Sequence, residues 1–77
     1  MTYKDYKKWA KEYLQQAKIL EKKISDRRSR GYFKSAEERE ENERAVNQLY
    51  EMRRDCLFTH ELLMERAEQI KETGEDA

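Results

Sequence analysis

The chain has 77 residues, which is enough for one small domain over residues 1–77 but not for a large buried core. Charged residues make up 44% of it, and Leu, Ile, Val and Phe together number only 12. A single small core supplies little stability, so we expect oligomerisation to add to the stability of the fold. No apolar run approaches the roughly 20 residues that span a bilayer, and the first residues lack the apolar core of a signal peptide. Cys56 is the only cysteine, which excludes an intrachain disulfide and, with these features, predicts a cytoplasmic protein.

The charge is divided between the two halves of the chain. Residues 1–34 carry eleven Lys or Arg and four Asp or Glu, whereas residues 35–77 carry six and thirteen. The net charges are therefore +7 and −7, and they cancel. If each half forms one helix, this partition favours pairing of the basic helix with the acidic helix over pairing of like helices.

The first half predicts a helix over residues 3–29. Its apolar residues recur at alternating steps of three and four, which is a heptad pattern. The members of this seam are Tyr3, Tyr6, Ala10, Tyr13, Ala17, Leu20 and Ile24. Thr2 followed by Asp5 is typical of an N-cap, and Gly31 suits the left-handed conformation that ends many helices.

The second half predicts a longer helix over residues 36–72. Ser35 and Glu38 have the spacing of a capping box, in which each side chain bonds the other's backbone N–H. Thr73 and Gly74 supply the stop. The main apolar stripe of this helix is expected at Ala45, Leu49, Met52, Cys56, Leu63, Ala67 and Ile70, widened by Val46, Tyr50, Leu57 and Met64.

The link between the two predicted helices is short, which makes them antiparallel neighbours. The fold class is therefore all-α, an antiparallel two-helix hairpin. A turn about residues 31–32 sets the register. It places Leu20 opposite Val46, Ala17 opposite Leu49, Tyr13 opposite Met52 and Arg53, Ala10 opposite Cys56, and Tyr6 opposite His60.

The hairpin has more apolar surface than two helices cover, which predicts self-association. The candidate residues for this contact are Trp9, Ile19, Tyr50, Leu57, Phe58, Leu62 and Met64. Two copies would form a homodimeric antiparallel four-helix bundle. A helix of a different partner is the alternative, and the sequence does not separate the two.

Three polar residues lie within this apolar surface. Cys56 and His60 are four residues apart, a spacing that suits metal ligation, but two ligands are too few, so we predict packing positions and no metal site. Arg53 has three possible roles: stacking on Tyr13, pairing with an acid of a second subunit, or extending its charged end to solvent.

A basic, aromatic corner joins the predicted helices. Its candidate nucleic-acid contacts are Arg27, Arg28, Arg30, Tyr32, Phe33 and Lys34, which together offer cations for phosphates and rings for bases. The acidic residues within 37–43 would repel a phosphate backbone. Cations are also favoured at a helix C-terminus by the helix dipole, and the two rings would then close the end of the bundle.

No pattern of a catalytic, cofactor or metal site occurs in the sequence, so we predict no enzyme activity and no cofactor. The predicted function is a non-enzymatic assembly or adaptor protein that acts through self-association or binding of a partner helix. The alternative is a small nucleic-acid-associated regulator that uses the corner at residues 27–34.

Several short stretches carry a resemblance to known proteins. They are Met1-Thr2-Tyr3, Glu12-Tyr13-Leu14, Leu20-Glu21-Lys22-Lys23-Ile24 and Leu49-Tyr50-Glu51-Met52-Arg53. With these, the chain resembles the small uncharacterised helical proteins of phage-derived and conjugative elements in low-GC Gram-positive bacteria. The resemblance covers most of the chain and implies no activity and no functional residue.

Overall fold

The computed structural model describes residues 2–73, which form two α-helices. Helix α1 spans Tyr3–Arg28 and helix α2 spans Ala36–Thr73. Both helices begin at the predicted residues, and their bounds lie within one residue of the predicted ones; the predicted stop at Gly74 lies outside the described residues. They pack antiparallel along a rod with extents of 58 × 14 × 14 Å. The prediction of an all-α, two-helix antiparallel hairpin is thus confirmed. Neither helix, within the described residues, has an apolar stretch long enough to cross a membrane.

The N-terminus of α1 is held by a complete capping box. The Asp5 N–H donates to the Thr2 hydroxyl oxygen at 3.2 Å, and the Asp5 carboxylate accepts from the Thr2 N–H at 3.1 Å. The pKa of Asp5 lies below its ordinary value. The main cause is the Thr2 backbone N–H and the next is the Thr2 side chain, since hydrogen bonds to a carboxylate favour its charged form.

The C-terminus of α1 differs from the prediction. Ser29 is the cap residue and keeps a right-handed conformation, with φ −79° and ψ −6°. Its N–H donates to the Ser25 carbonyl, and its hydroxyl donates to the Asp26 carbonyl, both at 2.9 Å. Because Ser29 satisfies these last carbonyls, the helix ends without a left-handed residue, and Gly31 does not adopt that conformation.

The N-terminus of α2 forms half of the predicted capping box. The Glu38 N–H donates to the Ser35 hydroxyl oxygen at 3.2 Å, as expected. The Glu38 carboxylate does not return to Ser35. It accepts from the Lys34 N–H at 3.1 Å and pairs with Arg30. A guanidinium within reach is a stronger partner for a carboxylate than a single backbone N–H, which explains the difference.

The core of α1 is the predicted heptad seam. Ala10, Ala17, Leu20 and Ile24 are buried, and the three tyrosines of the seam are half-buried. The facing seam of α2 also follows steps of three and four, and none of its members is exposed. It consists of Asn42, Val46, Leu49, Arg53, Cys56, His60, Leu63, Ala67 and Ile70.

The seam of α2 corrects the predicted stripe. Met52 was placed in the core but is 47% exposed. The difference arises because Asn42, Arg53 and His60 occupy seam positions that a search for apolar residues passes over. The true seam therefore lies to one side of the stripe that the apolar residues alone define.

The register of the hairpin is displaced by one helical turn from the prediction. Nδ1 of His60 lies 2.8 Å from the carbonyl oxygen of Ala10, whereas His60 was predicted opposite Tyr6. The predicted partners of Leu20, Ala17, Tyr13 and Ala10 shift in the same way. The link is the reason, because it is not a tight turn. Residues 30–33 form no turn or helix, and the Phe33 ring lies under the Arg39 guanidinium at 5.9 Å, beside the start of α2.

Candidate interaction surfaces

The two seams leave the hairpin with two opposite faces, each shared by both helices. One groove between the helices is lined from α1 by Lys23 and Asp26, and from α2 by Ala45, Gln48 and Met52. A groove on the other side is lined from α1 by Glu21, Ser25 and Arg28, and from α2 by Tyr50 and Arg53. In each groove the residues of the two helices hold the same heptad positions beside the seam, as antiparallel packing requires.

The first face, here called the tryptophan face, consists of Trp9, Ile19, Met52 and Leu62. Trp9 and Met52 each precede a seam residue, and Ile19 and Leu62 each follow one by two positions, so heptad geometry places all four on one side. Their exposed fractions are 41%, 48%, 47% and 48% in that order. These are four of the seven exposed large apolar side chains among the described residues.

The four residues of the tryptophan face form two levels along the rod. The contact between His60 and the Ala10 carbonyl puts Trp9 level with Leu62. The same contact, together with the bond between Asn42 and Arg27 at the other end of the hairpin, puts Ile19 at nearly the height of Met52. Ten residues of helix at 1.5 Å each separate the two levels by about 15 Å. Each level therefore takes one apolar side chain from α1 and one from α2.

The second face, here called the tyrosine face, consists of Leu14, Tyr50, Leu57 and Met64. Tyr50 is 39% exposed, and the other three are already half-buried against the opposite helix. The Tyr50 hydroxyl accepts from Nη1 of Arg28 at 2.7 Å, so a polar bond crosses this face. The flank of α1 on this side carries four lysines: Lys4, Lys7, Lys11 and Lys18.

The seven residues predicted for self-association are thus divided. Trp9, Ile19 and Leu62 lie on the tryptophan face, and Tyr50, Leu57 and Met64 lie on the tyrosine face. Phe58 is 61% exposed on the outer side of α2 and shares a shallow groove with Tyr50 and Leu57. Met52 was missed because it had been assigned to the core. The polar residues Asn42, Arg53 and His60 continue the seam of α2 at steps of three and four. This spacing was the signal that Met52 lies outside the core.

Arg53 takes a role that was not among its predicted ones. It pairs with Glu21 of its own chain, with Nε at 2.9 Å and Nη2 at 2.8 Å from the same carboxylate oxygen. The predicted stacking on Tyr13 depended on the predicted register, which the structure corrects, and it does not occur. Both side chains are part-exposed, at 34% and 49%, so the pair is expected to contribute about 0–1 kcal/mol.

The arginines of the basic corner are engaged within the chain. Nη1 of Arg27 donates to the Asn42 side-chain oxygen at 3.3 Å, and Arg28 donates to Tyr50. Arg30 pairs with Glu38 and lies 4.9 Å from the centre of the Phe33 ring. The half-buried Phe33 is therefore covered by cations, as expected of a ring that closes the end of the hairpin. Tyr32 is 74% exposed, and Lys34 contributes its backbone N–H to Glu38.

Cys56 and His60 are half-buried positions of the α2 seam. Because the Ala10 carbonyl can only accept a hydrogen bond, Nδ1 of His60 carries the proton that it shares with this oxygen. Cys56 is a free thiol. Within the described residues, no three or more His, Cys, Asp or Glu side chains are grouped to hold a metal ion.

Comparison with family models, curated proteins and solved structures gives no match to this chain. The resemblance to small helical proteins of phage-derived and conjugative elements stays a prediction.

Proposed function

We propose that the chain is a non-enzymatic assembly module that acts through self-association of its hairpin. The observation that carries this proposal is the exposed surface. The solvent-accessible area is 6274 Å², whereas a compact monomer of 9.5 kDa exposes about 5,000 Å². The excess is about 1,200 Å², and the exposed large apolar side chains include Trp9, Ile19, Met52, Phe58 and Leu62.

The dimensions of the hairpin suit a dimer. One side of a rod with extents of 58 × 14 × 14 Å presents roughly 800 Å², which is about what each partner buries in an interface of standard size. The core inside one hairpin is thin: among the residues that the structure describes, the side chains that are at most 1% exposed are Ala10, Ala17 and Ala67. A second layer of helices would therefore add burial that the single hairpin lacks.

A second copy fits the charges better than a lone foreign helix does. Helix α1 carries nine Lys or Arg and four Asp or Glu, a net charge of +5. Helix α2 carries six Lys or Arg and eleven Asp or Glu, a net charge of −5. A second hairpin supplies one helix of each sign, so both helices gain an oppositely charged neighbour. A single partner helix complements only one of them.

The alternative, a nucleic-acid-associated regulator, has less support. Its candidate contacts include Arg27, Arg28 and Arg30, and each of these guanidiniums already bonds a group in α2. To hold a phosphate, each must give up that partner. We therefore rank this function below self-association.

Light scattering coupled to gel filtration tests the proposal. We expect a mass of twice 9.5 kDa at micromolar concentration, and no retention of the dimer on DNA or RNA at physiological salt. A mass of 9.5 kDa at about 100 μM would overturn self-association, since an interface of standard size is stable well below that concentration. Salt-dependent binding of nucleic acid by such a monomer would favour the alternative.

A further inference from the structure

We infer that the second copy docks on the tryptophan face, related to the first by a two-fold axis parallel to the long axis of the hairpin. In this arrangement, α1 of each copy lies on α2 of the other. The inference rests on the proposed self-association and adds to it the surface that is used and the orientation of the partner.

The choice of face rests on which side chains are still unburied. On the tryptophan face, both helices contribute large apolar side chains that are 41–48% exposed. On the tyrosine face, Leu14, Leu57 and Met64 are already half-buried, and the Tyr50 hydroxyl is occupied by Arg28. Docking there would gain less apolar burial.

The charges beside each face support the same choice. Docking on the tyrosine face would bring the lysine flank of α1, at positions 4, 7, 11 and 18, into the contact. The centres of interfaces are depleted of lysine because the ammonium loses its hydration there. On the tryptophan side, the corresponding positions of α1 between Trp9 and Ile19 hold only Glu12 and Gln16, so the apolar residues meet fewer cations.

The orientation follows from the two levels of the face. A two-fold axis parallel to the rod keeps every residue at its own height and exchanges the two helices. Trp9 of one copy then lies at the height of Leu62 of the second copy, and Ile19 lies at the height of Met52 of the second copy. Each level gathers four apolar side chains, two from each copy, because the register of the hairpin already aligns them.

The helix charges select the same axis. With the axis parallel to the rod, each helix of net charge +5 has two neighbours of net charge −5, one in its own chain and one in the second copy. Like helices lie diagonally, where their separation is largest. An axis across the rod would instead stack α1 on α1 and α2 on α2, which places like charges side by side.

Sedimentation equilibrium of single glutamate variants tests the inference. We expect Ile19→Glu to raise the dimer Kd at least about 100-fold, because the charge enters the centre of the contact twice in each dimer. Trp9→Glu is expected to act in the same direction. Phe58→Glu is the matched control: it replaces an apolar side chain that is more exposed but lies off this face, and we expect its Kd to equal that of the unmodified chain.

Circular dichroism of each variant confirms folding, which we expect to persist because all of the replaced positions are exposed and glutamate favours helices. The inference is overturned if Ile19→Glu leaves the Kd unchanged while Phe58→Glu or Tyr50→Glu dissociates the dimer. Self-association itself would then stand, on a different face. If the unmodified chain is already monomeric, the proposed function fails and the choice of face fails with it.

Discussion

Replacement of Asn42 by alanine tests how the linked end of the hairpin is held. Asn42 is 8% exposed and is the buried polar residue of the described core. Its side-chain oxygen accepts from Nη1 of Arg27 at 3.3 Å, and its Nδ2 donates to the Arg27 backbone carbonyl at 3.2 Å. This reciprocal pair joins the last turn of α1 to α2 and fixes the register there.

The magnitude follows from the two bonds. A neutral hydrogen bond contributes about 1 kcal/mol net, and one to a charged group about 1.5–3 kcal/mol. The bond from the guanidinium is long, so its contribution falls at or below the low end of that range. We expect Asn42→Ala to lower the free energy of unfolding by about 2 kcal/mol, including the cost of an unpaired Arg27 carbonyl.

Urea denaturation followed by circular dichroism measures this change. The protein concentration must be fixed, since association makes the midpoint concentration-dependent. Asn47→Ala is the matched control, because it is the same substitution in the same helix at an exposed position. We expect its free energy of unfolding to stay within about 0.5 kcal/mol of that of the unmodified chain. If Asn42→Ala changes stability no more than Asn47→Ala does, the amide pair does not hold this end.

Two further predictions concern the core and the N-cap. Ile24→Ala, at a seam position that is 5% exposed, should lower the free energy of unfolding by about 2–4 kcal/mol in the same assay, and a loss below 1 kcal/mol would mean that this part of the seam is loosely packed. Thr2→Ala removes the hydroxyl but keeps the backbone N–H, which is the larger cause, so it should raise the pKa of Asp5 only part of the way toward its ordinary value of 3.8, as followed by the carboxyl chemical shift in an NMR titration. The folded pKa of Asp5 is depressed, so its capping contribution is present above the unfolded pKa and is lost as the pH falls through the folded pKa. An Asp5 pKa that does not respond to Thr2→Ala would show that the Thr2 side chain does not help to lower it.

The features that local sequence decides were predictable. The N-terminal ends of both helices follow from Thr2, Asp5 and Ser35, whose side chains bond backbone groups within three residues. The seam of α1 was also predictable, because its residues are small or apolar without interruption. Each of these depends on a few neighbouring residues and on no contact across the hairpin.

The register and the seam of α2 were not predictable, because contacts between the helices decide them. His60, Arg53 and Asn42 hold seam positions through bonds to α1. A pattern search treats such residues as surface. The link adds to the error, since it is not the tight turn that the predicted register assumed. Both errors affect the candidate surface, because the register decides which exposed residues share a level.

A cross-linking experiment tests most directly whether α1 of one copy lies on α2 of the other. Two single-cysteine chains are made on a Cys56→Ala background, one with Ile19→Cys and one with Met52→Cys, and each is oxidised alone and in mixture. We predict a mixed disulfide between the two chains and little disulfide from Ile19→Cys alone, because level residues of unlike helices adjoin and like helices lie diagonally. If Ile19→Cys links to itself as readily as to Met52→Cys, the basic helix does not lie on the acidic helix of the second copy.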